Sequence, residues 1–142
     1  MVGSTFEEIT LKNDFDVGKA RNGLIKEPEI RQTTVRALVD TGAGTLVINE
    51  AVRKQLGLIV IGLHKATLAN GEPEICRIAE TVEVQWKDRS MACRPLIISN
   101  ATEVLLGAIP LEDMDLMVDP VEQKLVGRHG DKPVGIAVGI TM

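Results

Sequence analysis

The feature that most constrains this chain is an apolar run that stops abruptly on an acid. Val35-Arg36-Ala37-Leu38-Val39 is followed at once by Asp40-Thr41-Gly42-Ala43-Gly44. A run of this kind, broken only by Arg36, reads as a largely buried strand. Its end delivers Asp40 into a turn that Gly42 permits, because glycine carries no Cβ penalty at unusual dihedrals. A carboxylate at a rigid strand end, flanked by small residues, is well placed for chemistry. The same tripeptide also fits an ordinary acidic turn, since Asp and Gly are common turn residues. A dinucleotide-binding turn fits less well. It needs a third glycine where Val47 stands and an acid about twenty residues further on, and Ile59 to Leu63 holds none.

Composition decides what surrounds that strand. The only aromatic residues are Phe6, Phe15 and Trp86, so the core must be aliphatic. Abundant Val, Ile, Leu and Thr favour strands, and 13 glycines with six prolines point to many turns. A length of 142 residues is one domain, 1–142, with enough chain for a proper core. The net charge of −4 gives no basic footprint for nucleic acid or anionic lipid. No apolar run is long enough to span a membrane and no N-terminal stretch looks like a signal peptide, so a cytoplasmic setting is expected. Cys76 and Cys93 lack a CxxC spacing and read as reduced structural thiols. His64 and His129 form no metal-ligand pattern, so neither metal nor cofactor is expected. Asn100-Ala101-Thr102 matches a glycosylation acceptor but reads here as a turn.

Taken in order, Phe6 to Leu11 is a first strand. Residues 12–29 are polar and turn-rich and read as a long exposed, mobile loop. Asp14 and Asp16 resemble part of a calcium loop, but the remaining acids do not fall at the needed positions. Arg31 to Val39 is the strand that leads into Asp40, and Thr45 to Ile48 a short one after it. Asn49 can cap a helix, Glu50 suits its first turn and Gly57 its end, which predicts a helix over 50–56. Ala66 to Ile78 reads as a hairpin turning at Ala69-Asn70-Gly71, since Asn-Gly is a strong hairpin signal. Thr81 to Trp86 alternates as a half-buried strand, Lys87 to Ser90 turns, and Met91 to Ser99 returns. Pro110 sits where a short helix over 111–114 would begin. Leu116 to Val118 and Lys124 to Val126 make a last hairpin. The apolar residues 134–140 in the 127–142 tail would form a sticky edge strand if left exposed.

Leu38-Val39-Asp40-Thr41-Gly42-Ala43, together with Leu105-Leu106-Gly107 much further on, resembles the retropepsin-like aspartic proteases. These are the single-lobed relatives of pepsin that include the retroviral enzymes. The resemblance covers most of residues 31–126. It implies a mainly β fold, a single-lobed closed β-barrel with one or two short helices. It implies that Leu105-Leu106-Gly107 supports the Asp-Thr-Gly-Ala loop from beneath, and that Ala69, Asn70 and Gly71 form the tip of a substrate-binding flap. A flap of this kind would exclude water and hold an extended peptide by main-chain hydrogen bonds.

The same resemblance implies chemistry. Two carboxylates share a proton around one water, and like charges at contact distance push their pKa values apart. This chain has one Asp-Thr-Gly, so a catalytic Asp40 requires Asp40 of a second subunit on a two-fold axis. Thr41 would lock the two loops across that axis, and Gly42 would let backbone approach the water. Ala43 stands where pepsin-like lobes carry Ser or Thr, which implies a dyad titrating higher and activity extending toward neutral pH. Gly44 departs from the polar residue of many retroviral members, and with it from their substrate backbone contacts on that side. The reading is therefore a homodimeric aspartic endopeptidase acting on extended peptides. Its alternatives are a non-catalytic dimeric β-module that binds an extended peptide, and an all-β structural domain in which Asp40 is incidental. The tail either completes its own sheet or interleaves across the dimer.

Overall fold

The computed structural model describes residues 3–67 and 70–130. Leu68, Ala69 and the tail from residue 131 onward lie outside the described residues, and with them the expectation for strand 134–140. The fold is mainly β. Strand β1 (Phe6–Asn13) runs into helix α1 (Asp14–Arg21), and a 3-10 turn over Glu27–Glu29 leads to β2 (Gln32–Val39). Then come β3 (Val47–Ile48), α2 (Glu50–Leu56), and the hairpin of β4 (Val60–Thr67) and β5 (Pro73–Ala79). The chain continues through β6 (Val82–Trp86), β7 (Arg89–Cys93), β8 (Leu96–Ile97) and β9 (Val104–Leu106). It closes with α3 (Ala108–Asp113) and a separate hairpin of β10 (Leu116–Asp119) and β11 (Lys124–Gly127).

The first nine strands form one sheet in the order β4-β5-β8-β3-β9-β2-β1-β6-β7. The described residues do not by themselves form the expected closed barrel: their strand order is an open line with β4 and β7 at its ends. Closure needs long strands that tilt and shear together. Here the middle strands β3 and β8 have two residues each, and β4 runs outward as one arm of a hairpin. The core is aliphatic, as the composition requires. Ile9, Leu11, Leu46, Ile48, Leu56, Val82, Val84 and Leu106 are fully enclosed, with Trp86 at the margin. Strand β6 shows the expected alternation, burying Val82, Val84 and Trp86 between half-buried Glu83 and Gln85.

Residues 12–29 are not a loop. Asn13 caps α1, its Oδ1 accepting from the Asp16 backbone N–H at 3.1 Å while its Nδ2 donates to the Leu56 carbonyl at 2.9 Å. Asp14 and Asp16 occupy the first turn and Lys19 and Arg21 the last, the charge order a helix dipole favours. Buried Asp16 accepts from the backbone N–H, Nε and Nη2 of Arg31. The paired acids are thus a cap and an ion pair. Helix α2 spans the expected residues, with the Asn49 side chain accepting from Val52 N at 2.9 Å and Gly57 left-handed at φ 63°. Helix α3 begins at Ala108, two residues before Pro110, because β9 ends at Leu106 and the chain turns at the extended Gly107 that precedes the helix. No described helix is long and apolar enough to cross a membrane.

Candidate active site

Asp40 sits where two strands end side by side. Strands β2 and β9 run parallel with Leu38 opposite Leu105 and Val39 opposite Leu106. The Asp40 N–H continues that ladder by donating to the Leu106 carbonyl at 3.0 Å. Beyond it the chain turns tightly. The Asp40 carbonyl accepts from Ala43 N at 3.0 Å, and Oδ1 accepts from Gly42 N at 3.0 Å. A Cβ on Gly42 would stand 3.2 Å from that same Oδ1, so glycine is what lets the backbone lie against the carboxylate.

The loop rests on the segment that the sequence places beneath it. Ala108 N donates to the Ala43 carbonyl at 2.9 Å and Ile109 N to the Gly44 carbonyl at 3.2 Å. Gly107 is where the two segments touch. A Cβ there would meet Thr45 O at 2.3 Å, Ala43 O at 2.6 Å and Thr45 N at 2.7 Å. All three are backbone atoms, so no side chain can swing aside to make room. Leu106 is fully buried behind the loop.

In front of the loop lies a cleft of about 410 Å³. Asp40, Gly42, Ala43, Gly44 and Thr45 form one wall, Val47, Leu96, Ile98 and Leu105 the floor, and Ala66, Thr67 and Cys76 of the hairpin the opposite wall. Asp40 is the only charged residue of that lining, and no cation lies within salt-bridge distance of it among the described residues. Thr41 is exposed at the rim, its hydroxyl without a partner among the described residues. Burial raises the Cys76 thiol above its ordinary value, and burial with Asp113 nearby pushes Cys93 up to about 12. Both stay protonated at neutral pH and are poor nucleophiles.

Of the residues singled out in the sequence, Asp40, Gly42, Ala43 and Leu105 line the cleft, Thr41 flanks it, and Leu106 and Gly107 stand behind it. At the hairpin tip Asn70 Oδ1 accepts from Glu72 N at 2.9 Å and Gly71 has φ 85°, the turn chemistry that Asn-Gly provides. Ala69 lies outside the described residues, and neither Asn70 nor Gly71 is among the cleft lining. The hairpin meets the cleft through Ala66, Thr67 and Cys76 instead. Sequence reading missed these three, and with them Thr45, Val47, Leu96 and Ile98. Only the alternation of Leu96 and Ile98 hinted that both face the same side.

Residues 27–113 match the family described as "gag-polyprotein putative aspartyl protease". Among solved structures, the chain is similar to the retroviral protease-like domain of Ddi1 from Leishmania major. Their TM-score is 0.55 at 16% identity, over 89% of each chain. This likeness shows a shared fold. Looser likenesses join the chain to EIAV protease in complex with an inhibitor (TM-score 0.46, 23% identity, 80% of this chain and 88% of that). A retropepsin-like aspartic protease from Rickettsia conorii is similarly distant (0.45, 15%, 82% and 88%). No curated protein matches the chain.

Proposed function

Because the chain belongs to the retropepsin-like aspartic proteases, the gag-polyprotein aspartyl protease family, we propose that it is a homodimeric aspartic endopeptidase with Asp40 as the catalytic residue of each subunit. The observation that carries this reading is the placing of Asp40. It is a lone carboxylate at a strand end, held by backbone hydrogen bonds in a neutral cleft with a hairpin arm opposite. One such carboxylate per chain leaves the chemistry half assembled.

With a second Asp40 facing the first, the pair holds one proton and one water between them. The ionised member takes a proton from the water as its oxygen attacks the scissile carbonyl carbon. The protonated member donates its hydrogen to the carbonyl oxygen, giving a neutral gem-diol. Collapse re-forms the carbonyl, breaks the C–N bond and passes a proton to the leaving amine, which returns the pair to its starting state. No covalent intermediate forms. The substrate is an extended peptide, whose backbone suits pairing beneath β4 and β5. Thr41, exposed at the rim, is assigned to the contact between the two loops. Leu106 and Gly107 hold each loop from behind, Leu105 underlies it on the cleft floor, and Asn70 and Gly71 shape the flap's turn.

The test incubates wild type and Asp40→Asn with a diverse peptide library from acidic to neutral pH and reads products by mass spectrometry. Cleavage by wild type with loss of at least about a thousandfold in the variant is expected, because a neutral amide cannot act as the base. Equal cleavage by both would remove Asp40 from the mechanism. A stable dimer that binds extended peptides without cutting them would make the chain a β-module that keeps the fold for binding.

A further inference from the structure

The β4–β5 hairpin is attached to the rest of the sheet by a short seam. Strand β4 is an end strand. Strand β5 meets β8 only at Arg77 opposite Ile97 and Ile78 opposite Leu96. From that seam the hairpin ladder continues outward to Thr67 opposite Pro73, with no other strand beside it among the described residues. Leu63 at the seam and Ile75 just beyond it are 69% and 68% exposed, while Ala66 and Cys76 line the cleft. The arm is cantilevered. Its angle over Asp40 depends on what holds it at Arg77.

Arg77 is held by a junction of three elements. Its Nη2 donates to Glu50 Oε2 at 2.5 Å and to Ser99 Oγ at 2.8 Å. The other Glu50 oxygen accepts from Arg53, from Nε at 2.8 Å and also from Nη2. Arg53 Nη1 in turn donates to the Leu58 carbonyl at 2.9 Å, fixing the far end of α2. Glu50 follows closely on Val47 of the cleft floor, and Ser99 directly follows Ile98 of the same floor. The junction therefore ties the floor of the cleft to the base of the arm above it. Charge-assisted, multi-dentate contacts of this sort fix geometry as well as adding attraction.

We propose that Glu50 and Arg77 form a latch that sets the hairpin's angle over the cleft, making them positioning residues for substrate capture. Neither is a catalytic residue, since neither lines the cleft. The latch also suits acid chemistry. Its two guanidiniums hold the Glu50 carboxyl down to about 2, so the junction stays charged across the range in which aspartic dyads work. The kinetic consequence rests on the peptidase reading, whereas the mechanical one does not.

The experiment compares wild type, Arg77→Met, Glu50→Gln and the double variant by peptide kinetics and by amide hydrogen exchange. An unlatched arm spends more time open, so KM should rise about three- to tenfold with kcat changed by less than about twofold. The double variant should be no worse than the poorer single one, because both remove the same contact. Exchange should quicken over residues 60–79 and stay unchanged in β1, β2 and β9. Unchanged exchange, or acceleration spread evenly through the sheet, would overturn the latch and leave the junction a general stabiliser. A loosened hairpin with KM unmoved would overturn its role in substrate capture. Should wild type cleave nothing, the exchange comparison still decides the latch, while the peptidase reading falls on its own.

Discussion

At the scale of single residues, the site's most demanding position is a glycine away from the cleft lining. Gly107 admits the Ala43 and Thr45 backbone where any Cβ would overlap three main-chain atoms. Gly107→Ala must therefore push the Asp40 loop off its support or shift β9. Overpacking against an unyielding backbone costs about 2–4 kcal/mol. An unfolding free energy lowered by that much in denaturant titration, with cleavage reduced well beyond the loss of folded protein, is the expected result. An alanine variant as stable and active as wild type would show that the loop does not rest on this segment. Asp40 and Gly107 were legible in the sequence because each belongs to a short pattern with a local cause. Thr67, Cys76 and Ile98 were not, since what brings them to the cleft is the pairing of distant strands, β5 with β8 and β8 with β3.

At the scale of elements, α2 and α1 make an instructive pair. Helix α2 was readable to the residue because its signals are local: an Asn cap, an acid in the first turn and a left-handed Gly at the end. The sequence of helix α1 reads as a loop, for a physical reason. Phe15 is 65% exposed and the helix buries only Asp16, so it offers no apolar periodicity to read. What holds it is the Asp16–Arg31 pair, a contact across fifteen residues that local sequence does not announce. The Arg31 side-chain hydrogen bonds and charge hold the Asp16 carboxyl below its ordinary value despite its burial. A depressed carboxyl favours the folded state above its unfolded pKa, and that contribution is lost as pH falls through the folded value. Asp16→Asn should thus cost about 1–2 kcal/mol near neutral pH, the lower end being set by solvent around the half-exposed Arg31 side chain. Urea unfolding of both proteins should show the gap closing only in acid, below the ordinary carboxylate range. A gap that stayed constant with pH would mean the helix is held by something other than this ionised pair.

At the scale of the whole molecule, strand composition was legible but sheet order was not. Alternation and turn residues mark where strands lie; nothing local says that β9 inserts between β2 and β3. The same gap separates the half-site from the complete one. The chain supplies one Asp40, and the proposed dyad needs two. If the second comes from an identical subunit, activity belongs to the pair and must obey mass action. Specific activity should fall on dilution through the dimer's dissociation range, in step with the oligomer measured by sedimentation at the same concentrations. Mixing gives the sharper test. With equal amounts of wild type and Asp40→Asn allowed to exchange subunits, about a quarter of the dimers carry two aspartates. At fixed wild-type concentration, half of the activity of wild type alone should then remain, roughly, because the mixed dimers lack one carboxylate of the dyad. Full retention of activity would mean that one Asp40 suffices, and the two-fold dyad would have to be abandoned for a mechanism within a single chain.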